Sequence, residues 1–317
     1  MTESDASIPS PADRREAGTA WLLRFQPDEP IGSAVRRMLT YLATEMISGL
    51  EAPERLGTDE TIHDVRRHGK QARALLKLVH ASAPEHLSAI DRNLRDAGRC
   101  LADARDAKVV LETFSSLGGD MAPSDTAAIS FLLDTQATAT AEAVFAEGDN
   151  AASAALALLS DASSLIVSLE RPITAEMVAD GAARTYTAAR RGRRRVRKRP
   201  TPERFHTWRK RVKDHRHHMA YLWECGPLEP MTHDELYELS DLLGDAHDLV
   251  VLDAHISHIN GDIDPVVRAE IIDTALRLRT ALEDQAVEKG ASPFKARPSE
   301  FRAALGSRVA PWFTHES

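Results

Sequence analysis

The sequence predicts an all-α protein, and three observations carry the prediction. Aromatic residues make up only 5% of the chain. Alanine and leucine are abundant, and apolar residues recur at three- and four-residue intervals. No run alternates convincingly at period two, as a half-buried strand would.

Each element follows from local signals. Residues 1–18 are polar, with Pro9 and Pro11, and read as a disordered tail. Helical periodicity then predicts helices over 31–51, 60–81 and 84–117, the last closed by Gly118-Gly119. A helix over 124–147 ends at Gly148-Asp149-Asn150, and one over 150–169 ends before Arg171-Pro172. The stretch 151–169 is the most apolar, but Asp161 and several serines interrupt it, so it reads as a core helix and not a membrane span. A helix over 174–191 leads into a basic run that ends at Arg199-Pro200. Thr201-Pro202-Glu203 has the form of an N-cap with proline at N1, and opens a helix over 201–225. Gly226-Pro227 and Gly261 bound helices over 231–259 and 263–288, and a short helix is expected after Pro298. A single domain over 19–313 follows.

Two of these helices spell one basic pattern. His63, Arg66, Arg67, Lys70 and Arg73 share the spacing of His206, Arg209, Lys210, Lys213 and Arg216, 143 residues later. Both read H-x-x-R-[RK]-x-x-K-x-x-R. At about 100° per residue, each set makes a stripe about 120° wide. The opposite faces are apolar: Val65, Ala72, Leu75, Leu76 and Val79 in one, Trp208, Met219 and Leu222 in the other. Solvated helices usually interleave acids with bases. Here Asp214 is the only acid within the second stripe's span, and its angle points it away from the stripe. Such stripes are costly to a fold unless something anionic neutralises them.

The charge totals agree. The chain carries −8 overall, yet residues 184–216 hold fifteen Lys/Arg against Glu203 and Asp214, a local +13 that leaves −21 for the rest. A basic site within an acidic protein suggests a focused anion-binding cleft and not a general basic surface. Cys100 and Cys225 are too few for a disulfide framework, and the N-terminus lacks the form of a signal peptide, so a reducing cytoplasm is expected.

The duplication extends further. Leu101-Ala102-Asp103-Ala104-Arg105-Asp106 aligns with Leu243-Gly244-Asp245-Ala246-His247-Asp248 as L-x-D-A-[RH]-D at an offset of 142, and each is followed by an apolar run. Two equivalent helical halves are expected, about 31–170 and 174–312, related by a pseudo-twofold that sets the stripes face to face around a basic central cavity.

These residues together resemble the CHAD domain, the conserved histidine α-helical domain. Its hallmarks are two helical repeats with a histidine opening a basic helix, matched from His63 and from His206, and a downstream LG-x-x-[RH]-D element, matched at Ala104-Arg105-Asp106 and Gly244–Leu249. A G-x-x-R-x-Y-x-x-[AG]-R-R stretch is matched by Gly181, Arg184, Tyr186, Arg190 and Arg191, and Pro293–Pro298 resembles the closing segment. The resemblance covers roughly 31–312. It implies inorganic polyphosphate as the ligand and association with polyphosphate granules in bacteria. Some relatives carry a triphosphate-tunnel enzyme domain marked by E-x-E-x-K, which this sequence lacks. Gly69 departs from the pattern inside the first stripe helix, at a cost of about 1 kcal/mol in propensity; it either permits a close approach or marks a weak point.

Polyphosphate is a linear polyanion, and its recognition needs a row of cations. Arginine offers bidentate forks and lysine point charges. The expected ligand-binding set is therefore the ten stripe residues, with Arg105, Arg184, Arg190, Arg193, His247 and Lys295. No cofactor or metal is expected, no specific nucleic acid and no membrane, and no turnover. Blander readings exist. The run Arg190–Arg199 suits a flexible basic linker as well as a cavity wall. Asp106 and Asp248 suit structural roles, capping helices or orienting stripe residues. His215, His217 and His218 are spread around their helix, which disfavours a metal site. Tyr186, Trp208, Trp223 and Trp21 read most simply as core. Two other functions compete: a metal-dependent phosphohydrolase built on His63-Asp64 and His247-Asp248, and a nucleic-acid binder, for which the sequence offers no helix-turn-helix signature and no aromatic stacking platform among the basic residues.

Overall fold

The stripe helices take their place in the fold from their apolar faces. In the computed structural model, residues 20–317 are described apart from 81–83, 118–122, 149, 171, 226–229, 260–262 and 314–317. The tail expected over 1–18 and the breaks at Gly118-Gly119, Asp149, Arg171, Gly226-Pro227 and Gly261 lie outside the described residues. Among the described residues there are helices and no strand.

The helices are α1 (Ile31–Glu51), α2 (Thr58–Val79), α3 (Pro84–Cys100), α4 (Ala102–Ser116), α5 (Pro123–Val144), α6 (Ala151–Val167), α7 (Ala175–Lys198), α8 (Pro202–Tyr221), α9 (Pro230–His258), α10 (Pro265–Lys289) and α11 (Pro298–Val309). Capping fixes several starts. Thr201 Oγ1 accepts from the Arg204 amide at 3.4 Å with Pro202 at N1, and Thr174 and Asn150 cap α7 and α6 in the same way.

Three expectations are corrected. The helix expected over 84–117 is two helices, parted at Leu101 (φ −103°, ψ 12°). The helix expected to end at 191 runs to Lys198, so most of the basic run is regular helix and not a linker. Trp21 is 57% exposed, because it sits in a short 3-10 turn ahead of α1 while Phe25 takes the buried place there.

Packing repeats between the halves. α1 packs on α2 and α6, as α7 packs on α8 and α11, and α4 packs on α5 as α9 packs on α10. α2 meets both α7 and α8, so the halves join through the stripe helices. Two glycines permit close helix packing, Gly181 of α7 against α2 and Gly192 of α7 against α8. A Cβ on Gly181 would lie 1.8 Å from the Leu78 carbonyl oxygen, and one on Gly192 would lie 2.6 Å from Trp208 Cδ1. Gly69 is different: its Cβ would meet only Met46 Sδ, at an ordinary 3.6 Å.

The apolar residues form two cores. The larger takes in Val65, Ala72, Trp208, Val212, Leu239 and Leu243; the smaller takes in Val110, Phe114, Leu249, Leu252 and Ile256. α4 passes from one core to the other between Ala104 and Val110, and α9 between Leu243 and Leu249. The charged L-x-D-A-[RH]-D motifs occupy those crossings. Charge in an apolar core is costly, so a seam between two cores is where these residues fit.

Candidate functional site

The stripes of α2 and α8 meet the α4 and α9 motifs at this seam. Lys213 of the second half feels the charge of Lys70 from the first, and both feel Arg209. Lys213 is half-buried, and its ammonium is pushed down to about 7, first by desolvation and then by Arg209, Lys70 and Arg216. Lys70 opens toward solvent but is hemmed in by protein at its sides; desolvation, then Arg66, Arg209 and Arg105, push it down to about 8. Arg209 is lowered by desolvation as well.

Histidines line the same space. His63 is held at about 4 by desolvation and by Arg105, and His247 at about 3 by desolvation, Arg209, His206 and Lys213. The His206 and His247 rings lie 4.5 Å apart, and His206 is also lowered, by burial and then Lys210 and Arg209. Both groups of rings are neutral near pH 7 and present donors or acceptors without adding repulsion. A recess of about 530 Å³ opens beside His63 and Arg105, at the start of α2.

Carboxylates enter from α4 and α9. Asp106 stands 4.0 Å from Arg66, and Asp248 sits among Arg209, Lys213 and Arg105. Asp248 and Asp245 are both raised by desolvation, more than the nearby cations lower them. Among the described residues, no carboxylate lies within ion-pair distance of Lys70, Arg209, Lys210 or Lys213. The Nε atoms of Arg66, Arg209 and Arg216 and Nδ1 of His206 are buried without a hydrogen-bond partner among the described residues. Such groups are costly unless a partner arrives.

A family model for the CHAD domain matches residues 30–257. The chain belongs to the CHAD domain family. Its fold is similar to the crystal structure of the CHAD domain from the plant Ricinus communis, at 20% identity and a TM-score of 0.60, over 90% of this chain and 95% of that one. It is similar also to PptA from Streptomyces chartreusis, at 17% identity and a TM-score of 0.58, over 84% of this chain and all of that one. A comparison with curated proteins gave no match. No helix among the described residues is long and apolar enough to cross a membrane.

This CHAD domain does not bring every nominated residue together. His63, Arg66, Arg67, Lys70, Arg105, His206, Arg209, Lys210, Lys213, Arg216 and His247 share the seam. Arg73 instead forks onto Asp91 of α3, at 2.9 and 3.3 Å. Arg190 and Arg193 donate to the Phe294 and Val287 carbonyls at 3.0 and 2.8 Å, tying α7 to the last turn of α10 and to the chain that follows it. Lys295 is exposed in that segment, and Arg184 lines a groove between α7 and α11.

The histidine cluster divides. His218 Nε2 donates to the Ala74 carbonyl at 2.8 Å and its Nδ1 faces the Thr185 hydroxyl at 3.0 Å, and His215 packs against Tyr186 and Phe301. Both are buried and structural. His217 is different: burial lowers it first, and the nearby charges of Arg216, Lys213 and Lys70 lower it further. Sequence reasoning set it aside with its neighbours. Its spacing of eleven residues from His206 brings it back to within about 20° of the stripe, a signal that was available. Asp214 does point away from the stripe, gripping Lys77 of α2 at 2.7 and 2.9 Å.

Proposed function

We propose that this CHAD protein binds inorganic polyphosphate at the seam without turnover, in the cytoplasm and at polyphosphate granules. One observation carries the reading: Lys70, Arg209 and Lys213, drawn from both halves, crowd together with no carboxylate paired to them among the described residues. Their mutual repulsion is a standing cost, and an anion would remove it. The stripes are linear and rise along their helices, which suits a linear polyanion. Arginine forks, lysine point charges and neutral histidines together suit bridging phosphate oxygens. The family resemblance supports the same ligand.

The rivals fit less well. A divalent cation at His247-Asp248 would sit beside Arg209 and Lys213, and one at His63 beside Arg105, so the local field opposes a metal. Tyr237 lies against the α8 stripe, but the Arg216 guanidinium covers its ring at 4.5 Å, which leaves it unsuited to stacking a base.

Titration calorimetry with long-chain polyphosphate at two salt concentrations, with RNA of equal charge as control and phosphate release assayed on the same samples, tests this. Tight, salt-sensitive binding selective for polyphosphate and without release is expected. Equal affinity for RNA would favour the nucleic-acid reading, and chelator-sensitive phosphate release would favour the hydrolase.

A further inference from the structure

α7 carries a third basic stripe that the seam does not use. Arg191, Arg194, Arg195 and Lys198 repeat the inner spacing as R-x-x-R-R-x-x-K, and Arg184 precedes Arg191 on the same face. All five are exposed. The helix is regular through Lys198, so the row spans about 21 Å at 1.5 Å per residue.

Among the described residues, none of the five has a carboxylate at ion-pair distance; the nearby acids Asp180 and Glu176 are taken by Arg302 instead. Cations near a helix C-terminus complement its dipole, but that effect fades within the last turn. It leaves Arg184 and Arg191 unexplained. The row is separate from the seam, since none of its members is among the charges that shift Lys70, Lys213, His63 or His247. At its start, a groove of about 410 Å³ between α7 and α11 is lined by Arg184, Arg191, Thr187 and Arg302.

The chemistry of the face narrows its partner. Between the cations stand only Thr187 and Ala188. No aromatic ring is present to stack a base, and no large apolar side chain to enter a bilayer. What remains is a row of guanidinium and ammonium groups matched to a bare chain of phosphates.

We propose that this face of α7 is a second, exterior polyphosphate-binding surface, engaged by long chains in addition to the seam and not by short ones. The inference rests on the reading of the seam as a polyphosphate site. It makes binding depend on chain length.

The test uses the full chain, tripolyphosphate and long-chain polyphosphate. The variant R191Q/R194Q/R195Q is expected to bind tripolyphosphate as the wild type does. Its affinity for long chains is expected to fall by about tenfold or more, and its salt slope by about 2, at roughly 0.7 per lost contact on a flexible strand. Unchanged long-chain affinity and slope would overturn the proposal. The variant R209E/K213E separates the two sites. Tripolyphosphate binding that survives R209E/K213E defeats the seam reading, whereas the outer face is judged by the long-chain loss alone. RNA and anionic phosphatidylglycerol vesicles are run alongside. If the outer substitutions abolish binding to either and leave long-chain polyphosphate untouched, the face belongs to that partner and the proposal fails.

Discussion

The stripes of α2 and α8 share one spacing but are partnered differently. On α2, Arg67 meets Asp64 at 3.0 Å, Arg73 forks onto Asp91, and Arg66 faces Asp106 while donating to the Gly98 carbonyl at the end of α3. On α8, Arg209, Lys210 and Lys213 have no such pairs among the described residues, and Arg216 reaches Asp241 only at 3.7 Å. The difference lies in what the neighbouring helices supply. It teaches that a repeated motif need not repeat a role: the α2 stripe is largely satisfied within the protein, and three cations of the α8 stripe have no carboxylate partner among the described residues, as the proposed anion site requires.

The largest expected effect follows directly. R209E/K213E should reduce polyphosphate affinity by about a hundredfold or more, with an unchanged far-ultraviolet spectrum, because glutamates placed among Lys70, Arg105 and Arg216 relieve repulsion. A variant that binds normally with native helical content would show that the α8 stripe does not face the ligand.

Arg73 and Arg216 occupy equivalent positions and give a sharper contrast. R216Q should weaken binding by about tenfold, the value of one good charged contact. R73Q should change binding by less than about threefold and instead cost about 1 kcal/mol of stability, through loss of a part-buried fork. Equal effects on binding would erase the distinction between the stripes.

Stability should move the other way at Lys213. Its folded pKa, about 7, lies below its ordinary value, so the unfolded chain holds more protons between about pH 7 and 10.5. The folded state is therefore penalised by Lys213 below this window, and the penalty disappears as pH rises through it. Lys213→Met should raise the melting temperature at pH 6.5 while weakening binding, and the gain should shrink steadily as pH rises toward about 10.5. A lower melting temperature at pH 6.5 would mean that Lys213 is not under strain.

The smallest effect concerns Gly69, whose counterpart on α8 is the buried Val212. Gly69→Ala should stabilise by up to about 1 kcal/mol with no change in binding, since its Cβ has room beside Met46. Gly181→Ala, where the Leu78 backbone blocks a Cβ, serves as the contrasting control in the same denaturant titration.

Much of this was legible in the sequence because its signals are local. Helical period, the Thr201-Pro202 cap and the two stripes depend on residues a few positions apart, and the structure bears out an all-helical CHAD fold. What could not be read depends on partners distant in the chain. Leu101 and Leu243 occupy equivalent motifs, yet the helix breaks at the first and runs through the second. No local residue announces that Arg73 will find Asp91 or that Arg190 and Arg193 will hold the Phe294 and Val287 carbonyls. The basic run's helicity is likewise set by Gly192 and Val196 packing inward, against Trp208 and the larger core.

Proton uptake on binding tests the central claim most directly. The seam lysines sit at about 7 and about 8 in the free protein, and a bound polyanion raises both. Titration calorimetry of long-chain polyphosphate at pH 8, in two buffers of different ionisation enthalpy, reads the protons taken up. The account predicts uptake by the wild type, a smaller uptake by Lys213→Met, and an affinity that falls as pH rises above about 7. Tight binding with no proton uptake, and no change on replacing Lys213, would contradict the claim that the anion enters the seam.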